Sequence, residues 1–266
     1  ADLINIESLK YVKEKFPNIK MSQWFLDRMD SEWKVNLKRF KDKINYLDSS
    51  FCTTDPKELN IKNISKVKFM PNPVDLSLDR FDNSTKNDLT HDVFFAMSHG
   101  VNRGIIKSGK KDERELFVKQ LIDLNKDLKF DIYGYNDRNP VWSESFYSAI
   151  SRSSMAVNLN RGKPKKYSSS NRIGSLIGNG LLTFIDYKKK FNHFFKDNEI
   201  IFYHNKNDLS EKLKFYKKNS KQRKIIAKNG QSKYFKLFNE IEVAKYIVEE
   251  SLGTNNYKPK WFDYLR

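Results

Sequence analysis

The sequence predicts an α/β fold: a doubly wound, Rossmann-like parallel sheet preceded by a smaller α/β segment. Three observations predict it. From Asp92 onward, five short apolar runs alternate with stretches of helical apolar spacing, the pattern of a parallel sheet buried on both faces. Parallel strands joined by right-handed crossovers wind their helices onto both faces of the sheet. Residues 1–81 show a shorter version of the alternation and run into Pro71-Asn72-Pro73, which can continue neither a strand nor a helix.

The elements follow in order. Leu9, Val12 and Phe16 mark a first helix, stopped at Pro17 and Asn18. Residues 19–25 read as a strand, and Ser31 as the cap of a helix through Val35, Leu37 and Phe40. Buried strands are expected at 46–53 and 67–70, and the polar stretch 77–90 places a domain boundary. The second part opens on the strand Val93–Met97. Asp112 and Glu115 have the spacing of a capping box, for a helix through Phe117, Leu121 and Leu124. Strands at 128–133, 155–159, 181–185 and 199–203 alternate with helices from Ser143 and Asn171 and with a short basic helix. Helices at 209–216, 222–228 and 234–250 close the chain. The expected division is 1–81, 82–250, and a tail at 251–266.

Composition narrows the class. A chain of 266 residues can bury a sizeable core. Its 20 Phe and 13 Tyr exclude a disordered chain. No apolar run of about 18 residues is present to span a membrane as a helix. The chain opens on Ala1 with no secretory pattern, so a fragment or processed product and a cytoplasmic location are expected. Cys52 is the only cysteine, which excludes an internal disulfide and fits a reducing compartment. The four His do not cluster, against a structural zinc site. The net charge of +17 favours anionic partners: nucleic acid, acidic head groups or phosphorylated small molecules. The lysines are scattered along the chain, which equally suits solvated helix faces.

In doubly wound sheets ligands bind beyond the carboxyl ends of the strands. That rule selects loops 98–111, 134–142, 160–170 and the one from 186. The first contains His99, Gly100, Arg103 and Gly104. Its glycines permit close backbone approach, and Arg103 offers a planar fork of donors to a phosphate; an ordinary surface loop is the alternative. The third runs through Asn160, Arg161, Lys163, Lys165 and Lys166 to Ser169, Ser170, Asn171 and Arg172. Cations and hydroxyls leading into a helix start favour an anion such as a diphosphate; the alternative is a solvated basic loop with Ser170 as a simple N-cap. Gly134 and Tyr135 close the second strand, either beside a nucleobase or as a plain turn. Gly178 and Gly180 flank a helix-to-strand turn and are explained by capping alone.

Together these pieces resemble group 1 glycosyltransferases of GT-B fold, nearest the CgeB-like (spore maturation protein) branch. The resemblance rests on Phe69-Met70-Pro71-Asn72-Pro73, Arg103-Gly104, Asp131-Ile132-Tyr133-Gly134, Ser170-Asn171-Arg172-Ile173-Gly174, Gly178-Asn179-Gly180-Leu181-Leu182-Thr183 and the stretch Arg223–Gly230. It implies a transferase of polysaccharide biosynthesis that takes a nucleotide-diphosphate sugar as donor substrate, with no cofactor. The acceptor, a glycan, lipid-linked glycan or protein, would sit on the first domain, of which residues 1–81 would be a part. Arg103 and Arg172 would meet the diphosphate, with Ser169, Ser170, Asn171, Asn160, Arg161, Gly100, Gly104 and Gly178 in the donor site. Tyr133, Gly134 and Tyr135 would lie near the base. Asp27 and His99 are the catalytic candidates; a capping or salt-bridged role is the alternative for Asp27. Where many relatives carry a helical glutamate, this sequence has Gly174 and Ser175. No persuasive Asp-x-Asp pair is present, so metal independence is expected. The alternatives are a catalytically degenerate nucleotide-sugar binder and a basic nucleic-acid-binding protein; no specific nucleic acid is expected. A peripheral contact through Lys side chains with the inner face of the membrane is a further expectation.

Overall fold

The computed structural model describes residues 4–29, 33–98, 112–254 and 256–266. The chain order is α1 (Ile6–Lys15), β1 (Ser22–Phe25), α2 (Lys34–Ile44), β2 (Ser49–Cys52), β3 (Val67–Phe69), β4 (His91–Ala96), α3 (Arg114–Leu124), β5 (Phe130–Tyr133), α4 (Ser143–Ile150), β6 (Ser153–Asn158), α5 (Asn171–Gly178), β7 (Leu182–Asp186), β8 (Ile201–Tyr203), α6 (Lys206–Lys218), α7 (Ser220–Phe238) and α8 (Glu240–Leu252). The chain divides into two compact units.

One unit comprises Ala1–Pro73, Lys165–Ser170 and Leu237–Asp263. Its sheet has the order β1-β2-β3, with both pairings parallel. Phe25, Phe40, Ile44, Cys52 and Val67 form its core. Burial pushes the Cys52 thiol up to about 12, which keeps it protonated and unreactive, as a cysteine in an apolar strand should be. α8 belongs here because it packs on β2: the Ser49 hydroxyl donates to the Glu250 carbonyl at 2.8 Å, and the Tyr246 ring meets Phe51 edge-on at 5.6 Å. The segment 165–170 joins the same unit through main-chain bonds, with Asp55 N–H donating to the Lys166 carbonyl and Ser169 N–H to that of Thr53.

The other unit comprises Val74–Pro164, Asn171–Lys236 and Tyr264–Arg266. Its five parallel strands have the order β5-β4-β6-β7-β8. Alternation along β4 shows the double winding directly. Val93, Phe95 and Met97 join a cluster with Val118 and Leu121 of α3 and Leu209 and Leu213 of α6. Phe94 and Ala96 join the opposite cluster, with Ala149 and Ile150 of α4 and Leu176 of α5. A one-residue slip of β4 would exchange the two sets, so burial on both faces fixes its register.

The two units depart from the division at 1–81, 82–250 and 251–266. Residues 74–81 group with the large sheet because Gly178 makes room for them: a Cβ there would lie 2.8 Å from Val74 Cγ1 and 3.0 Å from Asp79 Cβ. The closing helices also differ from expectation. α7 runs without a break through Gly230, where a Cβ would sit 2.1 Å from the Glu199 carbonyl oxygen. This glycine allows close helix–loop approach instead of ending a helix. The break falls at Asn239, whose side chain accepts from Glu242 N–H and so caps α8. Ser31, the expected cap of α2, lies outside the described residues. The capping box at α3 is half formed: Glu115 accepts from Asp112 N–H at 3.2 Å, while Asp112 Oδ1 accepts from Arg114 N–H at 3.0 Å.

Candidate functional site

In the five-stranded sheet the chain passes from β4 to β5 on one side and then returns to place β6 on the other. The crevice at the carboxyl ends of β4 and β6 is therefore the topological switch point, where doubly wound sheets bind ligands. A cavity of about 270 Å³ opens there. Its floor is Ala96, Met97 and Ser98; one wall is the start of α4 with Trp142, Ser143 and Phe146, and the other the start of α5 with Asn171, Arg172 and Ser175. Two helix amino termini thus face one space, each carrying partial positive charge. Ser143 holds a left-handed backbone, with φ of 47°, a conformation that costs a non-glycine residue energy and is found disproportionately at functional positions.

Arg172 sits at the switch point itself. Its Nε–H donates to Asn158 Oδ1 at 3.1 Å, Nη1 to the Ala96 carbonyl, and Nη2 to the Leu159 carbonyl at 2.7 Å. The guanidinium therefore ties the end of β4 to the end of β6, with the Phe95 ring 5.4 Å beneath it. Burial, and then the neighbouring Arg114 cation, lower its pKa to about 9. A guanidinium has five N–H donors; among the described residues, the three bonds leave others for a ligand. Two amide donors lie close by in sequence: Asn158 Nδ2 and Asn160 Nδ2 are buried without a hydrogen-bond partner among the described residues.

Two cations absent from the sequence expectation complete the cluster. Arg114 is buried, pairs with Asp112 through Nε–Oδ1 at 2.8 Å and Nη2–Oδ2 at 2.7 Å, and donates to the Ser98 carbonyl on the cavity floor. Burial works to raise the Asp112 pKa, but the bonds and charge of Arg114 outweigh it and hold the carboxyl low. Lys189, just past β7, is 2% exposed. Burial, then repulsion from Arg172, lower its pKa from 10.5 to about 7. Sequence reading could not find Arg114 or Lys189, because each looks like one more helix-surface cation in a basic chain.

The depressed lysine has a measurable consequence. Between about pH 7 and 10.5 the unfolded chain holds a proton on Lys189 that the folded chain has released. Stability therefore rises with pH across this window, and below about 7 the full cost of the buried charge is carried. Lys189→Met is expected to raise the melting temperature most near pH 6.5, with the difference from wild type narrowing toward pH 9.5. A difference independent of pH in thermal melts would show that Lys189 carries no such shift.

The other expected site residues are divided. Of the donor set, Asn171 and Arg172 line the cavity. Ser169 belongs to the smaller unit, where its hydroxyl accepts from Asn72 N–H at 3.0 Å. Ser170 is in that unit as well. The last two lysines of the basic run are committed there too: Lys166 pairs with Asp55 at 2.9 Å, and Lys165 donates to the Glu58 carbonyl. Tyr133 is buried; its hydroxyl accepts from Arg152 at 2.7 Å and its ring lies 3.6 Å from the Arg138 guanidinium. Gly134 passes close to the Met97 carbonyl just past the end of β4, and Tyr135 packs against the α3-side core. Arg161 is half-buried and adds positive potential at Asp112. Gly178 is a packing glycine against Val74 and Asp79. Asp27 is exposed past the end of β1 in the smaller unit. His99, Gly100, Arg103 and Gly104 lie outside the described residues. Among the described residues, no group of three or more His, Cys, Asp or Glu side chains could hold a metal ion. Among them, too, no helix is long and apolar enough to cross a membrane.

Strand order, double winding and a switch-point cavity that Arg172 lines define a Rossmann-like α/β protein, the fold of the GT-B glycosyltransferases among its structural neighbours. Solved structures agree. HepE of Anabaena, in complex with UDP, superposes with a TM-score of 0.65 at 10% identity, covering 93% of this chain and 76% of that one. TarM of S. aureus gives 0.62 at 10% identity, over 87% and 50% of the two chains. Sucrose-phosphate synthase of Thermosynechococcus elongatus gives 0.59 at 10% identity, over 90% and 69%. At such identities the likeness is one of fold. No curated protein sequence matches the chain. Residues 111–249, more than half of the 266, match the family model described as glycosyl transferase-like, and the chain belongs to that family.

Proposed function

We propose that this protein transfers a sugar from a nucleoside-diphosphate sugar to a glycan, lipid-linked or protein acceptor, without a metal ion. The observation that carries the reading is the convergence of Arg172 with two helix starts in the switch-point cavity, with Arg114 and Lys189 buried nearby. The two guanidiniums are fixed positive groups of the kind that stabilises the charge growing on a departing diphosphate, and Lys189 joins them as a cation only below about pH 7. HepE has been solved with UDP and with UDP-glucose, which makes these the first probes to try. The order of the Pro71, Asn171–Gly174 and Gly178–Thr183 motifs supports the CgeB-like branch, and the lysine-rich surface supports a peripheral membrane contact. A nucleic-acid role is disfavoured because the basic residues are scattered along the chain instead of being gathered in one stretch interleaved with aromatics.

Thermal-shift measurements with UDP, UDP-glucose and other nucleotide sugars test the reading. At a hundred times the dissociation constant, a true donor is expected to stabilise the fold by about 2.7 kcal/mol. Hydrolysis of that donor should persist in EDTA. Binding without turnover would favour a degenerate nucleotide-sugar binder, and no shift with any nucleotide would reject both.

A further inference from the structure

Asp131 of β5 is wholly buried and meets two guanidiniums. Arg138 Nη1 stands 2.7 Å from Oδ1, and Arg152 Nη2 stands 3.3 Å from Oδ2. Tyr133, on the same face of the strand, joins them. Its hydroxyl accepts from Arg152 Nη2 at 2.7 Å, and its ring lies 3.6 Å from the Arg138 guanidinium. β5 is the outermost strand of its sheet. The Tyr133 carbonyl accepts from Met97 N–H on the β4 side, so the Ile132 carbonyl points to the open edge, where Arg138 Nη1 reaches it at 3.3 Å. Arg138 thus wraps the outer edge of the sheet, and Arg152 meets it over one carboxylate. Their side chains are 47% and 43% exposed, against 0% for Asp131. None of the four residues lines the switch-point cavity.

One carboxylate offsets only one of two guanidiniums, and among the described residues neither cation pairs with another acid. The cluster is left with a positive charge and with donors to spare. A guanidinium has N–H groups on Nε and on both Nη atoms. Arg138 uses only Nη1 and Arg152 only Nη2, so Nε–H and the other Nη of each stay without a partner among the described residues. Two guanidiniums in water repel each other; here a buried anion and an aromatic face hold them side by side before any ligand arrives. A phosphate-type oxyanion carries several oxygens and more than one negative charge, so it can bridge two such forks. We propose that Arg138 and Arg152 form a binding site for a phosphate-type oxyanion at the outer edge of the large sheet, with Asp131 and Tyr133 as the positioning residues. The site is separate from the donor cavity and does not depend on the reading of that cavity.

The test is nuclear magnetic resonance of the arginine Nε–H groups of the full chain, titrated with inorganic phosphate against sodium chloride at matched ionic strength. The Arg138 and Arg152 resonances, assigned by their loss in Arg138→Gln and Arg152→Gln, are expected to shift saturably with phosphate and not with chloride. In Arg138→Gln the response of Arg152 should need about three- to tenfold more phosphate, the lower end of what a charge-assisted bond contributes, because both groups are half exposed and screened. Tyr133→Phe removes the acceptor that orients Arg152, and should weaken the response of Arg152 more than that of Arg138. If one variant fails to fold, the wild-type titration and the other variants decide. Two further arms separate the sources of the oxyanion. Tighter binding of glucose 1-phosphate than of inorganic phosphate identifies a soluble phosphate ester. Sedimentation with vesicles of equal parts phosphatidylcholine and phosphatidic acid that is lost in Arg138→Gln, and kept in the charge control Lys38→Gln, identifies a lipid head group. Phosphate bound in the switch-point cavity alone would leave both Nε–H resonances unmoved. That outcome, an equal response to chloride, or an unchanged response of Arg152 in Arg138→Gln would overturn the assignment.

Discussion

Arg172→Ala is expected to weaken binding of a nucleoside diphosphate by about 1.5–3 kcal/mol, the worth of a hydrogen bond to a charged group, or roughly ten- to a hundredfold in affinity. Geometry supports a figure at the upper end. The guanidinium is held by Asn158, Ala96 and Leu159 before any ligand arrives, so little rotamer freedom is lost on binding. The substitution also leaves the Ala96 and Leu159 carbonyls without their Arg172 donors, at about 1–3 kcal/mol for each group that stays unsatisfied. Relief of repulsion from Arg114 opposes that cost. Arg172→Lys separates charge from shape: one ammonium keeps the charge but loses the planar fork that spans the two strand ends. An affinity between wild type and Arg172→Ala is expected for it. Titration with UDP and pyrophosphate measures both variants, and an unchanged affinity in Arg172→Ala would remove this residue from the site.

The second large effect is expected at Gly134. Its φ of 72° lies in the left-handed region, and a Cβ there would stand 2.0 Å from the Met97 carbonyl oxygen. A side chain in that backbone state costs about 1–2 kcal/mol, and displacing packed main chain adds about 1–3 kcal/mol. Gly134→Ala should therefore lose about 3 kcal/mol, a fall of roughly 6–12 °C in melting temperature for a unit of this size. Because Met97 lines the cavity, weaker nucleotide binding should accompany the loss, even though Gly134 itself is absent from the lining. Thermal denaturation and nucleotide titration of the same variant check both halves. A melting temperature within a degree of wild type would contradict this close approach.

These two residues show how legibility in the sequence divides. Gly134 is visible as a turn after an apolar run, but whether it serves a base, a turn or a close approach depends on Met97, a residue 37 positions earlier. Arg172 is visible as a cation at a helix start after the third strand, where switch-point logic expects an anion. Tyr133 reads as a base contact only until Arg152 and Arg138 are seen to occupy its hydroxyl and ring. The serines before Arg172 look like further anion donors, yet the Ser169 hydroxyl is engaged by Asn72 in the other unit.

The sequence by itself determined the strand-and-helix alternation, the parallel sheet covered on both faces, and the loops at its carboxyl edge. Those features follow from periodicity and turn chemistry, which act over a few residues. Tertiary structure alone decided which polar groups share a cavity. Ser98 follows β4, Ser143 opens α4 and Arg172 lies on α5, yet all three line one cavity, and a group's desolvation and charge partners are set by neighbours in space, which local sequence does not record.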